Sequence, residues 1–163
     1  MSHVVCVLQE VSENADRAFR QGDYQGAVDF YNEALRLCSL LSGDVVFDRI
    51  RFEAIVYADL SAAFGRQGKH MESFAAANKA LAFFDASDET ALSDVETGKY
   101  LMVQVNQGVA LAALGCFSAA LDALYRAKDI FRRKGLNPDK NKQWLELVER
   151  NIVAINGQIE QQQ

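Results

Sequence analysis

Proline is almost absent from this chain of 163 residues, which contains one, and its ten glycines are widely spaced. So few helix breakers and turn formers exclude collagen-like and proline-rich classes and disfavour an all-β fold with many turns. What is present is an ordinary globular balance of 50% apolar and 24% charged residues, at a length that suits one domain. The composition therefore predicts a single, mainly helical domain.

Cysteine is also scarce and poorly placed for cross-links or metal. The three cysteines, Cys6, Cys38 and Cys116, are odd in number and far apart, and the chain has only two histidines. Without a Cys-x-x-Cys pair, a zinc site or a disulfide framework is disfavoured, and we expect no metal and no cofactor. We expect the three thiols to act as small hydrophobes buried on apolar helix faces.

Long apolar runs and an excess of basic charge are missing as well. The longest unbroken apolar stretch covers residues 109–114, and the first six residues lack the basic segment of a secretion signal. The sequence thus predicts no membrane span and a cytoplasmic location. The formal net charge of −5 would repel a nucleic acid, so we expect no nucleic-acid partner.

An internal repeat is marked by three glycines, Gly22, Gly68 and Gly115, which lie 46 and 47 residues apart. Each is followed two residues later by a ring, and then by two small residues seven positions apart; these pairs are Ala27 and Ala34, Ser73 and Ala80, and Ala120 and Ala127. A glycine can end a helix in the left-handed conformation, and small residues two turns apart let two helix backbones approach closely. The spacing therefore predicts three helical hairpins in register.

These residues resemble the tetratricopeptide repeat (TPR) family in a long-repeat variant. The second unit carries the first-helix signature best, with Tyr57, Leu60, Ser61 and Phe64 at the family's Trp, Leu, Gly and Tyr places. The resemblance implies an all-α, TPR-like α-solenoid of three helical hairpins plus a C-terminal capping helix. It implies one domain over 1–163, with units at about 8–41, 54–87 and 101–134 and a capping helix at about 139–160, although a standard unit has only about 34 residues.

Apolar spacing and capping residues predict seven helices, at about 3–21, 24–41, 45–67, 70–84, 93–114, 117–134 and 139–160. Asp44 is the predicted N-cap of the third helix, and Ser93 with Glu96 the predicted capping box of the fifth. Gly135 is predicted to end the sixth helix, and Pro138 is predicted to mark the start of the seventh. The last helix carries one apolar stripe, formed by Trp144, Leu147, Val148, Ile152, Ile155 and Ile159.

We find no nucleophile, base and orienting group in a pattern that would support catalysis, so the sequence predicts no enzyme. The resemblance implies instead a non-catalytic module that binds a protein or peptide partner in its concave groove. Setting the repeats in register gives the residues expected to face that groove: Asp16, Phe19, Asp59, Ala62, Arg66, Met102, Val105, Asn106 and Val109. The small apolar members of this set could instead pack against neighbouring helices.

The charges in the set bear on the kind of partner. TPR domains that hold acidic chaperone tails use lysine, arginine and asparagine here, whereas this chain has Asp16 and Asp59. Two aspartates disfavour a carboxylate ligand, so we expect an amphipathic helix with a Lys or Arg beside an apolar stripe. A second copy of the chain could fill the same surface as a homodimer. Two alternatives stay open, a holding chaperone for a secreted or membrane-inserting protein and a structural subunit of a larger assembly.

Overall fold

A computed structural model describes residues 3–135 and 139–163. It shows consecutive helices paired as antiparallel hairpins. Within these residues there are seven α-helices and no strand. In chain order they are α1 His3–Arg20, α2 Tyr24–Ser39, α3 Arg49–Arg66, α4 His70–Ala86, α5 Asp94–Ala113, α6 Phe117–Arg133 and α7 Lys142–Gln162, with a short 3₁₀ turn at Glu89–Ala91. The pairs α1/α2, α3/α4 and α5/α6 form three successive hairpins, and α7 packs on α6 and α5.

The three hairpin turns have the same geometry. Gly22, Gly68 and Gly115 have φ values of +80°, +73° and +81°, as predicted from their spacing. The residue after each glycine donates its N–H to a carbonyl five positions earlier, at 2.9 Å in all three turns. Because only glycine adopts this backbone without strain, the sequence fixes where each hairpin reverses.

Small residues hold the paired helices together. All six of the predicted small residues on α2, α4 and α6 are at most 2% exposed, and so are Ala77 and Leu124 between them. The approach of α5 and α6 is close at Gly108, where an added Cβ would lie 2.8 Å from Cγ of Leu124. These contacts confirm the predicted packing of each second helix against its first helix.

The start of α3 differs from the prediction. Asp44 does not cap this helix; Asp48 does, and its carboxylate accepts the backbone N–H of Arg51 at 3.1 Å. Val45 and Phe47 instead pack beside the core formed by α1 and α2. Burial of these two side chains keeps the preceding segment out of the helix, which therefore begins at Arg49.

The cap of α5 also joins the second and third hairpins. The predicted capping box at Ser93 and Glu96 is confirmed, and the same Glu96 carboxylate also accepts a hydrogen bond from Arg51 of α3. Burial alone would raise the pKa of Glu96, but the hydrogen bonds from Ser93 and Arg51 hold it below its ordinary value. Glu96 therefore both starts α5 and ties it to α3.

The capping role of α7 is confirmed by its burial pattern. Val148, Ile152 and Ile155 are at most 6% exposed, and the other members of the stripe pack on the same core. Gly135 has a φ of +57° and ends the preceding turn, while Pro138 lies outside the described residues.

The expectation for the cysteines is wrong at two of three positions. Cys38 is buried in the core of the first hairpin, but Cys6 and Cys116 are exposed. Cys116 lies in the hairpin turn as the N-cap position of α6, where no neighbouring helix covers it.

Candidate functional site

The first helices of all three hairpins meet around one pocket of about 230 Å³. We call it the groove pocket. Its lining is Asp16, Phe19 and Arg20 from α1, Tyr31 from α2, Asp59 and Ala62 from α3, and Lys99 and Met102 from α5. Pockets for drug-sized ligands usually measure about 300–1,000 Å³, so this one has room for a single side chain of a partner.

One wall of the groove pocket is a hydrogen bond within the first hairpin. The Tyr31 hydroxyl donates to the Asp16 carboxylate at 2.5 Å. Burial, together with the charges of Asp59 and Asp16, raises the pKa of Tyr31 above its ordinary value, so the phenol stays neutral. Asp16 thus accepts from a neutral donor, and its negative charge is not cancelled by this bond.

The opposite wall is an ion pair between the second and third hairpins. Lys99 Nζ lies 2.5 Å from a carboxylate oxygen of Asp59, and the two side chains are 29% and 13% exposed. Burial raises the pKa of Asp59 to about 6 even though Lys99 favours the charged form, and the nearby Asp16 adds to the rise. Asp59 is therefore paired with Lys99, and it lies close enough to Asp16 for the two carboxylates to repel each other.

Arg66 forms a separate cluster at the edge of this face. Its guanidinium lies 5.8 Å from the ring centroids of both Phe19 and Tyr24 and donates to the Tyr24 hydroxyl at 3.2 Å. The two rings meet edge to face at 5.2 Å. Arg66 is therefore engaged with aromatic rings of the first hairpin, and this contact joins α3 to the α1–α2 turn.

The sequence-predicted groove residues separate into three groups. Asp16, Phe19, Asp59, Ala62 and Met102 come together around the groove pocket. Arg66 lies at its edge, and the half-buried Asn106 donates to the Ser61 hydroxyl at 3.1 Å. Val109 is half-buried against the main core.

Val105 was expected to face the groove, and this prediction is wrong. It is 0% exposed and belongs to the core cluster that joins α3, α4, α5, α6 and α7. Position 105 is one turn before Val109, but α5 packs against α3, α4, α6 and α7, and Val105 lies on a side of α5 that is completely covered. In a central helix of a solenoid, neighbouring helices can cover a residue, and the spacing of residues within its own helix does not show this.

Three residues of the pocket were missed as site residues: Arg20, Tyr31 and Lys99. Lys99 lies three residues before Met102, on the same face of α5, and this spacing was the available signal. Tyr31 lies between the small residues Ala27 and Ala34 of α2, a position that indicates packing between helices. The equivalent residues of the other repeats, Ala77 and Leu124, carry no hydroxyl, so the repeat pattern predicts no polar group at this position.

Among residues 3–135 and 139–163, no group of three or more His, Cys, Asp and Glu side chains is placed to hold a metal ion. None of the helices described there combines the length and the apolar character that crossing a membrane requires.

The comparison with protein families matches residues 3–130 to the model described as Domain of Unknown Function (DUF3856). The chain belongs to this family. A comparison with curated proteins gave no match.

Solved structures identify the fold of this DUF3856 member as TPR-like. A TPR-like protein from Chlorobium tepidum superposes with a TM-score of 0.84 at 19% identity, over 94% of this chain and 96% of the other. The TPR2B domain of yeast Sti1, solved as a complex with pHsp70, gives a TM-score of 0.65 at 16% identity, over 93% and 97% of the two chains. The Sgt2 TPR domain from Aspergillus fumigatus gives 0.63 at 16% identity, over 94% and 80%. At such low identities the likeness concerns the fold.

Proposed function

We propose that this protein is a non-catalytic interaction module that binds a protein or peptide partner in the groove formed by α1, α3 and α5. The observation that carries the proposal is the groove pocket, where side chains of four helices converge on one cavity of about 230 Å³. Such convergence of charged and apolar groups in a concave site is typical of a binding site. The yeast Sti1 domain, whose structure is a complex with pHsp70, supports a protein or peptide as the ligand class.

The partner that fits best is an amphipathic helix that carries a Lys or Arg beside an apolar stripe. Phe19, Ala62 and Met102 supply apolar walls for the stem of such a side chain. The Asp16 carboxylate, bound by the neutral Tyr31 hydroxyl, retains its charge to receive the cationic head. An acidic tail would meet Asp16 and Asp59 at the same point, which disfavours its binding.

The test is an affinity capture that compares the wild-type chain with two variants. Ala62→Arg fills the pocket with a bulky cation, whereas the matched control Ala75→Arg adds the same group to an exposed position of α4. We expect a partner that wild type and control retain and that Ala62→Arg loses. Identical sets of captured proteins for all three chains would contradict the proposal.

A peptide taken from the captured partner then allows a titration. Replacing its Lys or Arg by Glu should abolish binding, because the peptide then places a third carboxylate beside Asp16 and Asp59. On the protein side, Asp59→Asn should weaken binding only modestly, since Lys99 already satisfies that carboxylate. Unchanged affinity of the Glu peptide would show that the cation does not enter the pocket.

A further inference from the structure

Four charged side chains line the groove pocket, and two of them neutralise each other. Asp59 of α3 and Lys99 of α5 form an ion pair at 2.5 Å. Asp16 accepts a hydrogen bond from the neutral Tyr31 hydroxyl. In the described part of the chain, neither Asp16 nor Arg20 belongs to an ion pair. Asp16 and Arg20 are therefore the two charges of the pocket that are left to meet a partner.

The Arg20 side chain is exposed and lines the groove pocket from α1. Burial raises the pKa of Tyr31, and the positive charge of Arg20 opposes this rise, so the guanidinium lies near the Tyr31 hydroxyl. Arg66, on the same side of the molecule, is engaged with the rings of Phe19 and Tyr24. Arg20 has no such contact and can receive a carboxylate of a partner.

Asp16 and Arg20 are one helical turn apart on α1. Four residues advance an α-helix by about 6 Å along its axis and by about 40° around it, so the two side chains project from the same face. A partner helix that lies along α1 places residues three or four positions apart at a similar spacing. A cation and an anion at that spacing would each meet the opposite charge on α1.

We propose that the Lys or Arg of the partner helix is accompanied by an Asp or Glu three or four residues away, and that this acidic residue pairs with Arg20 while the cation pairs with Asp16. Arg20 is then a specificity-determining residue of the groove pocket. An exposed ion pair contributes little affinity, so its main effect is to select the partner sequence. This inference rests on the function proposed above, because it adds a second charge to the same partner helix.

Selection of peptides on the full chain tests the inference. The probe is a phage-displayed library of amphipathic helical peptides that is randomised at the polar positions. We expect the enriched peptides to combine a Lys or Arg with an Asp or Glu three or four residues away. On Arg20→Glu, the enriched peptides should keep the cation and carry Lys or Arg in place of the acidic residue, because the sign of the charge that they meet is reversed.

Arg17→Glu is the matched control. It makes the same charge change in the same last turn of α1, at an exposed position outside the groove pocket. It should therefore enrich the wild-type pattern, and any effect that both variants share reflects net charge or the helix terminus.

A selected peptide then serves as the probe in a titration. Replacing its acidic residue by Gln should weaken binding to the wild-type chain about threefold, and replacing it by Lys about tenfold, since repulsion is added to the lost attraction. The Lys peptide should bind Arg20→Glu as tightly as the original peptide binds wild type, because the pair forms again with its signs exchanged.

The outcomes separate this inference from the proposed function. Peptides that carry a cation without an acidic residue at that spacing would overturn the inference and leave the proposed function intact. The same pattern on wild type and on Arg20→Glu, or a Lys peptide that Arg20→Glu fails to restore, would also overturn it. Peptides without a cation, or no enrichment on the wild-type chain, would contradict the proposed function and this inference with it.

Discussion

In the first hairpin, the Tyr31 hydroxyl of α2 donates to Asp16 of α1, whereas the equivalent positions of the third hairpin hold Leu124 and Val109. The polar pair lines the groove pocket, while Leu124 is fully buried and Val109 packs beside it in the main core. The backbone turn is the same in both hairpins. Equivalent positions of the two hairpins therefore line the pocket in one case and belong to the core in the other, and the side chain at each position decides which.

The first and third hairpins also differ in the helices that cover their apolar faces. The third hairpin shares its core with α7, and the largest buried cluster of the described residues joins α3 to α7. The first hairpin belongs to two smaller clusters, one of which it shares with α3 and α4. We therefore expect the two ends of the solenoid to respond differently when a side chain or a helix is removed.

The largest effect should follow from removal of α7. A chain that ends at Gly135 exposes the apolar surface that Val148, Ile152 and Ile155 now cover. We expect it to aggregate or to lose much of its helicity, because an uncapped repeat leaves its apolar face in water. Light scattering and circular dichroism measure this. A monomer with the wild-type melting temperature would show that α7 does not cap the third hairpin.

The second prediction concerns the pH dependence of stability. Asp59 has a folded pKa of about 6, above its ordinary value of 3.8, so the folded state holds a proton that the unfolded state has released. The free energy of unfolding should therefore fall as pH rises between about 4 and 6. Asp59→Asn mimics the protonated side chain and should remove this fall, with a stability gain on the order of 2 kcal/mol at pH 7.

Denaturant titrations of both chains at several pH values measure this difference. The control is Asp122→Asn on α6, an exposed carboxylate that should change neither the slope nor the stability. Parallel pH profiles for the wild type and Asp59→Asn would contradict the assignment of the slope to Asp59.

The third prediction tests the polar wall of the first hairpin. Tyr31→Phe removes the hydroxyl that donates to Asp16 and should cost about 1–2 kcal/mol of unfolding free energy, since the hydrogen bond is to a charged group. Tyr100→Phe is the matched control, because Tyr100 likewise donates to a carboxylate, Asp85, but outside the groove pocket. Both variants should lose stability, and only Tyr31→Phe should alter partner binding. If both variants bind the partner equally well, Tyr31 is not part of the binding site.

The smallest effect distinguishes two glycines of α5. An added Cβ at Gly108 would lie 2.8 Å from Leu124 Cγ, whereas at Gly98 it meets nothing within 4 Å. Gly108→Ala should lose about 1 kcal/mol, as the strain in a packed core exceeds the gain in helix propensity. Gly98→Ala should gain about 0.5–1 kcal/mol from propensity alone. The same sign for both would mean that the α5–α6 contact is less close than the structure shows.

Much of the fold could be predicted because its signals are local. A glycine with positive φ ends each first helix, the Ser93–Glu96 pair starts α5, and the α7 stripe lies on one helical face. Each depends on residues within two turns of one another. The start of α3 was misplaced because the burial of Val45 and Phe47, and not local capping, decided it. The boundaries of the repeat units stay a prediction.

The sequence by itself determined the helices, their turns and the small-residue faces that let them pair, because backbone conformation and helical spacing are set by near neighbours. Only the tertiary structure decided that Lys99 would reach Asp59, 40 residues earlier in the chain, and that Val105 would be buried. The packing of the three hairpins against one another determines both outcomes. The spacing within α5 places Lys99 on the same face as Met102, but it does not tell which residue of another helix Lys99 meets.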